Sequence, residues 1–306
     1  MRGLYRRAKV ASPVAITQCA VALLALAIAG SFAYPRSAAA AFHGRNGLIA
    51  FVVSNNDPEN GNDAVFTVKP GGGHVHQTRA SCEDQTTDNL SFSPSGQYLI
   101  YSCERLGTDL NVIEELDTRS GKLRMISDAS SATWAPDGHH LLLGDLHSEQ
   151  NGIWVANSNG KHPRRISRLE PVLMAWSSRN LIAVATQSAV WTMDPDGHHL
   201  HRLPIKVTSS LDWRADGRRL LFATGTGQIV STHADGTHRQ VLTRGHHDTD
   251  PAFSPDGKSI VFVRGRYTWI MDSSGAGKHR LIADDPVDAD GVGDLYATQP
   301  VWQPRP

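Results

Sequence analysis

Sulfur is scarce in this chain. Three cysteines and five methionines occur in 306 residues, and no two cysteines stand in a Cys-x-x-Cys pair. That absence removes zinc ribbons and thioredoxin-type redox motifs. Also missing are a Gly-x-Ser-x-Gly elbow, a His-Glu-x-x-His helix motif and a Walker loop, so the usual hydrolase, metalloprotease and nucleotide signatures are excluded. Gly225-Thr226-Gly227 is too short for a dinucleotide fingerprint. An excess of either charge is lacking as well, with 30 basic and 30 acidic residues. Arg2, Arg6, Arg7, Lys9 and Arg36 precede residue 42 with no acidic partner, which leaves 25 basic against 30 acidic residues, a net −5, in the remainder. A mildly acidic chain offers no footprint for nucleic acid.

Long apolar runs are also absent, with one exception. Ala20–Ala29 is a continuous apolar stretch behind a basic start, and Ser37 to Ala41 supplies small residues for cleavage before Phe42. This is the layout of an export signal over 1–41. The run is short for the ~20 residues of a full span, so cleavage is expected, with an uncleaved anchor as the alternative. No membrane span is expected after cleavage. Cys19 precedes the apolar core and is not placed to carry a lipid.

What the chain does have is a repeat. An aromatic residue opens a turn block six times: Phe92-Ser-Pro-Ser-Gly96, Trp134-Ala-Pro-Asp-Gly138, Trp176-Ser-Ser-Arg-Asn180, Trp213-Arg-Ala-Asp-Gly217, Phe253-Ser-Pro-Asp-Gly257 and Trp302-Gln-Pro304. The steps are 42, 42, 37, 40 and 49 residues. A second block keeps its own register, as in Val190-Trp-Thr-Met before Gly197 and Thr268-Trp-Ile-Met before Gly275. Proline presets φ in these turns and glycine accepts φ > 0, while β-branched and aromatic residues between them favour strands. Repeats of this length predict four-stranded antiparallel sheets in a radial array. The expectation is therefore an all-β, six-bladed β-propeller over 42–306. Residues Gly44 to Thr78 lack an aromatic first strand, and Val301-Trp302-Gln303 lacks a following hairpin. The C-terminal strand is expected to complete the N-terminal blade and leave no open sheet edge.

The blocks Phe253-Ser-Pro-Asp-Gly-Lys258 and Trp191-Thr-Met-Asp-Pro-Asp-Gly197 resemble the TolB-like, or WD-repeat-like, β-propeller family. The resemblance covers nearly everything after residue 43 and implies the fold. Trp176-Ser-Ser-Arg-Asn180 and Trp213-Arg-Ala-Asp-Gly217 depart from the pattern. Full TolB proteins also carry an α/β domain ahead of the propeller. The chain leaves no room for one, so a role in the Tol envelope system is not expected to follow from the resemblance.

Candidate site residues fall in three groups. Loops before the innermost strands run to the channel mouth, and one carries His246, His247, Asp248 and Asp250, with Asp88 and Asp212 on neighbouring mouth loops. Imidazoles and carboxylates so placed suit a polar ligand or a divalent metal; a hydrated loop is the plain alternative. Asp288, Asp290 and Asp294 form an acidic, glycine-containing segment that partly imitates a Ca2+ loop, without the closing acidic residue of an EF-hand. Cys82 and Cys103 flank two strands joined by the Pro94-Ser-Gly96 turn, so a disulfide is expected in an oxidising compartment, with two free, partly buried thiols as the alternative. Most of the fifteen histidines, such as His74, His162, His199 and His238, follow third-strand glycines. They would lie ~14 Å outside the innermost strand, at three strand spacings, too far apart to share an ion.

These readings lead to an exported (periplasmic, cell-surface or secreted) non-catalytic platform for an envelope or extracellular protein or glycan. The alternative is a metal-assisted lyase or hydrolase with its site at the channel mouth.

Overall fold

The computed structural model describes residues 42–54, 63–82, 86–104, 111–146, 151–282 and 296–306, all within one compact unit, Ala33–Pro306. The expected export signal, 1–41, lies outside the described residues. Among the described residues every regular element is a strand, and no helix is long and apolar enough to cross a membrane.

The first strands are β1 (Arg45–Ser54), β2 (Ala64–Val68) and β3 (His76–Gln77). They are followed by β4 (Thr87–Phe92), β5 (Tyr98–Glu104), β6 (Asn111–Asp117) and β7 (Leu123–Trp134), and then by β8 (His140–Leu146), β9 (Ile153–Asn157) and β10 (Arg164–Ser167). Next come β11 (Leu173–Trp176), β12 (Ile182–Ala185), β13 (Val190–Met193) and β14 (His201–Leu203). After them lie β15 (Ser209–Trp213), β16 (Arg219–Ala223), β17 (Ile229–His233) and β18 (Gln240–Val241). The last are β19 (Thr249–Phe253), β20 (Ser259–Arg264), β21 (Tyr267–Asp272), β22 (His279–Arg280) and β23 (Tyr296–Arg305).

Three four-stranded sheets follow chain order: β11 to β14, β15 to β18 and β19 to β22. A seven-stranded sheet runs from β4 to β10, and it is seven-stranded because β7 is shared. The Leu123–Asp128 half of β7 pairs with β6, and the Ala129–Trp134 half pairs with β8. The remaining sheet has the order β23-β1-β2-β3. Its pairing joins the two ends of the propeller: Ile49 lies opposite Trp302, and Arg45 opposite Arg305. The Gln303 side chain adds to this closure by accepting the Leu48 N–H at 3.2 Å and donating to the Gly96 carbonyl at 2.7 Å. Gly96 has φ +67°, and a β-carbon there would collide with the Pro304 carbonyl. Only glycine fits both the turn and the closing strand.

The repeat aromatics Phe92, Trp134, Trp176, Trp213, Phe253 and Trp302 are all buried. They lie between neighbouring sheets or, for Trp134, between the two halves of the seven-stranded sheet. Trp134 packs with Ile100 and Ile113 of the preceding strands and with Leu141 and Leu143 of β8. Trp213 packs with Ala175 and Ala183, and Trp302 with Ala252 and Val261. Burying each large side chain contributes about 2–3 kcal/mol. The periodic aromatic is therefore the wedge that holds neighbouring sheets apart at a fixed angle.

Candidate functional site

An innermost strand is a sheet edge, with N–H and C=O groups unpaired on one side. Here, side chains of the neighbouring innermost strand take several of those groups. The Asn89 N–H donates to Gln299 Oε1 at 2.6 Å, and Gln299 Nε2 donates to Asp88 Oδ1. Asn89 Nδ2 reaches Ser102 Oγ at 2.7 Å. The Phe253 N–H donates to Asp212 Oδ2 at 2.7 Å, the Asp250 N–H to Ser209 Oγ at 3.2 Å, and Ser210 Oγ donates to the Pro251 carbonyl at 2.8 Å. Trp213 Nε1 donates to the Ala175 carbonyl at 3.2 Å.

A backbone irregularity makes these bonds reachable. Asn89, Ser210, Asp250 and Gln299, each three residues before its repeat aromatic, have φ of 60°, 47°, 49° and 49°. Register shifts occur at the same places in the ladders. Such bulges cost strain but turn a side chain out of the pleat and across the gap. Three candidate mouth residues thus have seam roles: Asp88 meets Gln299, Asp212 caps the edge of β19, and Asp250 occupies a bulge.

Asp248 is a correction to the picture of an open ligand loop. It is fully buried, and both of its oxygens are held by Arg264, at 2.7 Å from Nε and 2.9 Å from Nη2. The Arg264 guanidinium also lies over the Trp269 ring at 4.9 Å and the Phe262 ring at 5.4 Å. The Asp248 N–H donates to the Gly227 carbonyl at 2.9 Å, which pins the loop onto the neighbouring turn. His246 and His247 stay exposed on this anchored loop. The loop therefore presents its imidazoles outward and commits its first carboxylate inward. Among the described residues no group of three or more His, Cys, Asp or Glu side chains could hold a metal ion. Asp288, Asp290 and Asp294 lie outside the described residues.

Cys82 and Cys103 are joined, with an S–S distance of 1.97 Å and a Cα–Cα distance of 5.5 Å. The bond closes a chain separation of 21 residues, for which loop entropy corresponds to about 3 kcal/mol. His74, His162, His199 and His238 all have φ between 51° and 60°. Histidine tolerates this left-handed turn position better than most residues, and that accounts for their recurrence.

Sequence reading missed Asp63. Its Oδ2 accepts the Thr87 N–H at 2.8 Å, beside Asp88. Burial, with a smaller push from the Asp88 charge, raises its carboxyl above the ordinary range against the hydrogen bonds from Ser54 and Thr87. A raised carboxyl pKa in the folded state means that stability is present at low pH and is lost as pH climbs from the unfolded value through the folded one. The Asp63→Asn variant keeps an acceptor for Thr87 but carries no charge. Its melting temperature relative to the parent is expected to rise between pH 4 and pH 7. A difference that stays flat across that range in circular dichroism melts refutes the assignment. The sequence signal was slight, because Asp63 is a single carboxylate before a strand.

No protein-family model matches the chain. The Tol-Pal system protein TolB of Francisella tularensis subsp. tularensis is 24% identical over 254 residues, covering 72% of this chain. The match takes in 55% of that relative, so the chain spans about half the length of the curated protein it matches. Among solved structures, TolB from Acinetobacter baumannii aligns with a TM-score of 0.68 at 15% identity, covering 85% of this chain and 67% of that one. A chain of the nidogen–laminin complex aligns at 0.67 and 12% identity, covering 84% and 98%. A TolB-type protein from Agrobacterium tumefaciens aligns at 0.58 and 18% identity, covering 84% and 99%. At these identities the solved structures speak for the fold alone. Taken with the repeat blocks and the sheets, the sequence match shows this chain to be similar to the TolB-like β-propellers.

Proposed function

We propose that this protein is an exported, six-bladed propeller that serves the cell envelope as a rigid, non-catalytic platform for another protein. The six-blade reading is supported by the shared strand β7, which belongs half to one four-stranded blade and half to the next. Six apolar clusters, each drawn from neighbouring strand sets, agree with that count. Export is supported by the basic and apolar pattern of residues 1–41 and by the disulfide, which suits an oxidising compartment.

The observation that carries the platform reading is the sequence match to a Tol-Pal system protein along 72% of the chain. The nidogen–laminin structure adds that this fold occurs within a protein complex. Rigidity is supported by the seam bonds, since a surface held in place loses little entropy on binding. His246 and His247, on a loop anchored through Asp248, are proposed contacts on the mouth face. Asp88, Asp212 and Asp250 frame it.

Tagged mature protein, cross-linked in an envelope fraction and affinity-captured, is expected to retain a discrete protein partner. Peptides around 244–248 or the opposite turn face are expected to carry the cross-links. Recovery of no partner above a scrambled-surface control sinks the platform reading. Recovery of glycan without protein replaces it with a carbohydrate platform.

A further inference from the structure

The two copies of the turn repeat that break its pattern are neighbours in the chain and in the fold. Where other copies have Pro-Ser-Gly or Pro-Asp-Gly, one has Ser177-Ser-Arg179-Asn180 and the next has Arg214-Ala-Asp216-Gly217-Arg218-Arg219. These turns lie on the face opposite the mouth loops, because each innermost strand runs from one face to the other. Between them is a groove of about 730 Å³ lined by Arg179, Arg214, Arg218, Arg219, His233 and Asp235, among others. Four guanidinium groups thus converge on a propeller whose overall charge after residue 41 is negative.

These cations are held in place. The Arg179 stem lies over Gly217, and its Nε donates to the Asp216 carbonyl at 2.9 Å. Ser178 Oγ ties the same turn to the Ala215 carbonyl at 2.7 Å. Arg219 Nε donates to Ser231 Oγ at 2.9 Å. Arg214 is matched internally, with Nε 3.1 Å from Asp216 Oδ2 and Nη2 on the same oxygen. Asp216 gives its other oxygen to the Arg218 N–H at 3.0 Å. Asp235 is occupied by the Thr237 N–H and hydroxyl. Among the described residues the terminal nitrogens of Arg179, Arg218 and Arg219 make no hydrogen bond to protein, although the Asp216 charge acts on Arg218 and Arg219. Burial, and then the nearby Arg214 charge, lower the Arg219 pKa, against a smaller opposing pull from the Asp216 carboxylate. A half-buried cation beside a like charge is an arrangement that an incoming anion relieves.

We propose that this groove binds an acidic peptide segment, whose carboxylates bridge Arg179, Arg218 and Arg219. The inference rests on the platform reading and names the chemistry of its partner. The groove already contains a sample of that chemistry. An aspartate side chain takes Arg214, and the same residue's main-chain carbonyl takes Arg179. An acidic peptide repeats both acceptors along its length. The guanidinium fork matches carboxylate geometry, and the groove is too large for one small oxyanion. Leu181 and Ala234 give it an apolar floor for the stems of glutamate side chains.

The test uses fluorescein-labelled hexaglutamate and fluorescence anisotropy at low ionic strength, with the mature protein. Binding is expected, and the Arg179→Gln/Arg218→Gln double variant is expected to weaken it by about tenfold or more. Arg218→Gln alone keeps the main-chain bonds of the turn, including the Arg218 N–H to Asp216, so it serves if the double variant fails to fold, with a smaller loss in the same direction. Lys122→Gln, on an outer turn, is expected to change nothing. No binding by the parent, or equal binding by the arginine variants, overturns the inference. Displacement of the peptide by equimolar inorganic phosphate, or tighter arginine-dependent binding of a polyuronate, also overturns it in favour of another anion. Capture of an envelope protein without any hexaglutamate binding removes this inference and leaves the platform reading standing.

Discussion

Removing residues 297–306 is expected to abolish cooperative folding. The deleted segment is most of β23, the innermost strand of the sheet that joins the chain ends. Trp302 and Ala297 are buried there against Ile49, Phe51 and Val261, and Val301 is buried in a second cluster with Ala50, Val52 and Leu90. Trp302 and Val301 alone contribute roughly 4–5 kcal/mol of apolar burial, against a total stability of about 5–15 kcal/mol for a typical domain. The loss extends beyond that area. Strand β1 becomes an open edge with its N–H and C=O groups exposed, which templates aggregation. Gln299 also leaves, and with it the bonds to Asn89 and Asp88. The expected result is a broad, non-cooperative melt and high-molecular-weight material in gel filtration. A synthetic peptide of residues 296–306 is expected to restore part of the sharp transition when added in trans. A truncated protein that stays monomeric with its parent's melting temperature shows that the ring does not depend on this strand.

Arg264→Ala is expected to destabilise the protein by about 3–5 kcal/mol. The substitution leaves Asp248 fully buried with neither oxygen paired to a cation, and breaking one side of a buried pair costs more than the pair itself contributes. The contacts of the guanidinium with Trp269 and Phe262 are lost too, for about 1 kcal/mol more at partly desolvated sites. In a protein of this size the shift in melting temperature is roughly 6–20 °C. The double variant Asp248→Asn/Arg264→Met removes both charges and is expected to recover a substantial part of the loss. If the double variant melts no higher than the single one, the cost lies in packing and not in an orphaned carboxylate. The same experiment bears on the mouth loop, since Asp248 anchors the segment that displays His246 and His247.

Much of the architecture could be read from local residue chemistry. Phe253-Ser-Pro-Asp-Gly257 specifies a strand and a tight turn without help from the rest of the chain, because proline, aspartate and glycine each meet a local φ requirement. Trp302 without a following hairpin, and Leu48-Ile-Ala-Phe51 without an aromatic strand before it, pointed to the pairing now seen between β23 and β1. Cys82 and Cys103 could be brought together on paper because the hairpin register between them is set by its turn. The site was less legible. Asp88, Asp212, Asp248 and Asp250 look alike in sequence, as polar residues near strand beginnings. In the structure, one meets a glutamine, one caps a strand edge, one is clamped by arginine and one occupies a bulge.

The sequence by itself determined the repeat, the strands and turns within it, and the need for the two ends to meet, since each depends on interactions a few residues long or on the count of strands. Only the tertiary structure decided which carboxylates face inward and that Arg179 stands beside Arg218 and Arg219 across a groove. Those outcomes depend on bulges that rotate single side chains and on the packing angle between sheets. Both are set by contacts about forty residues apart that no local pattern encodes.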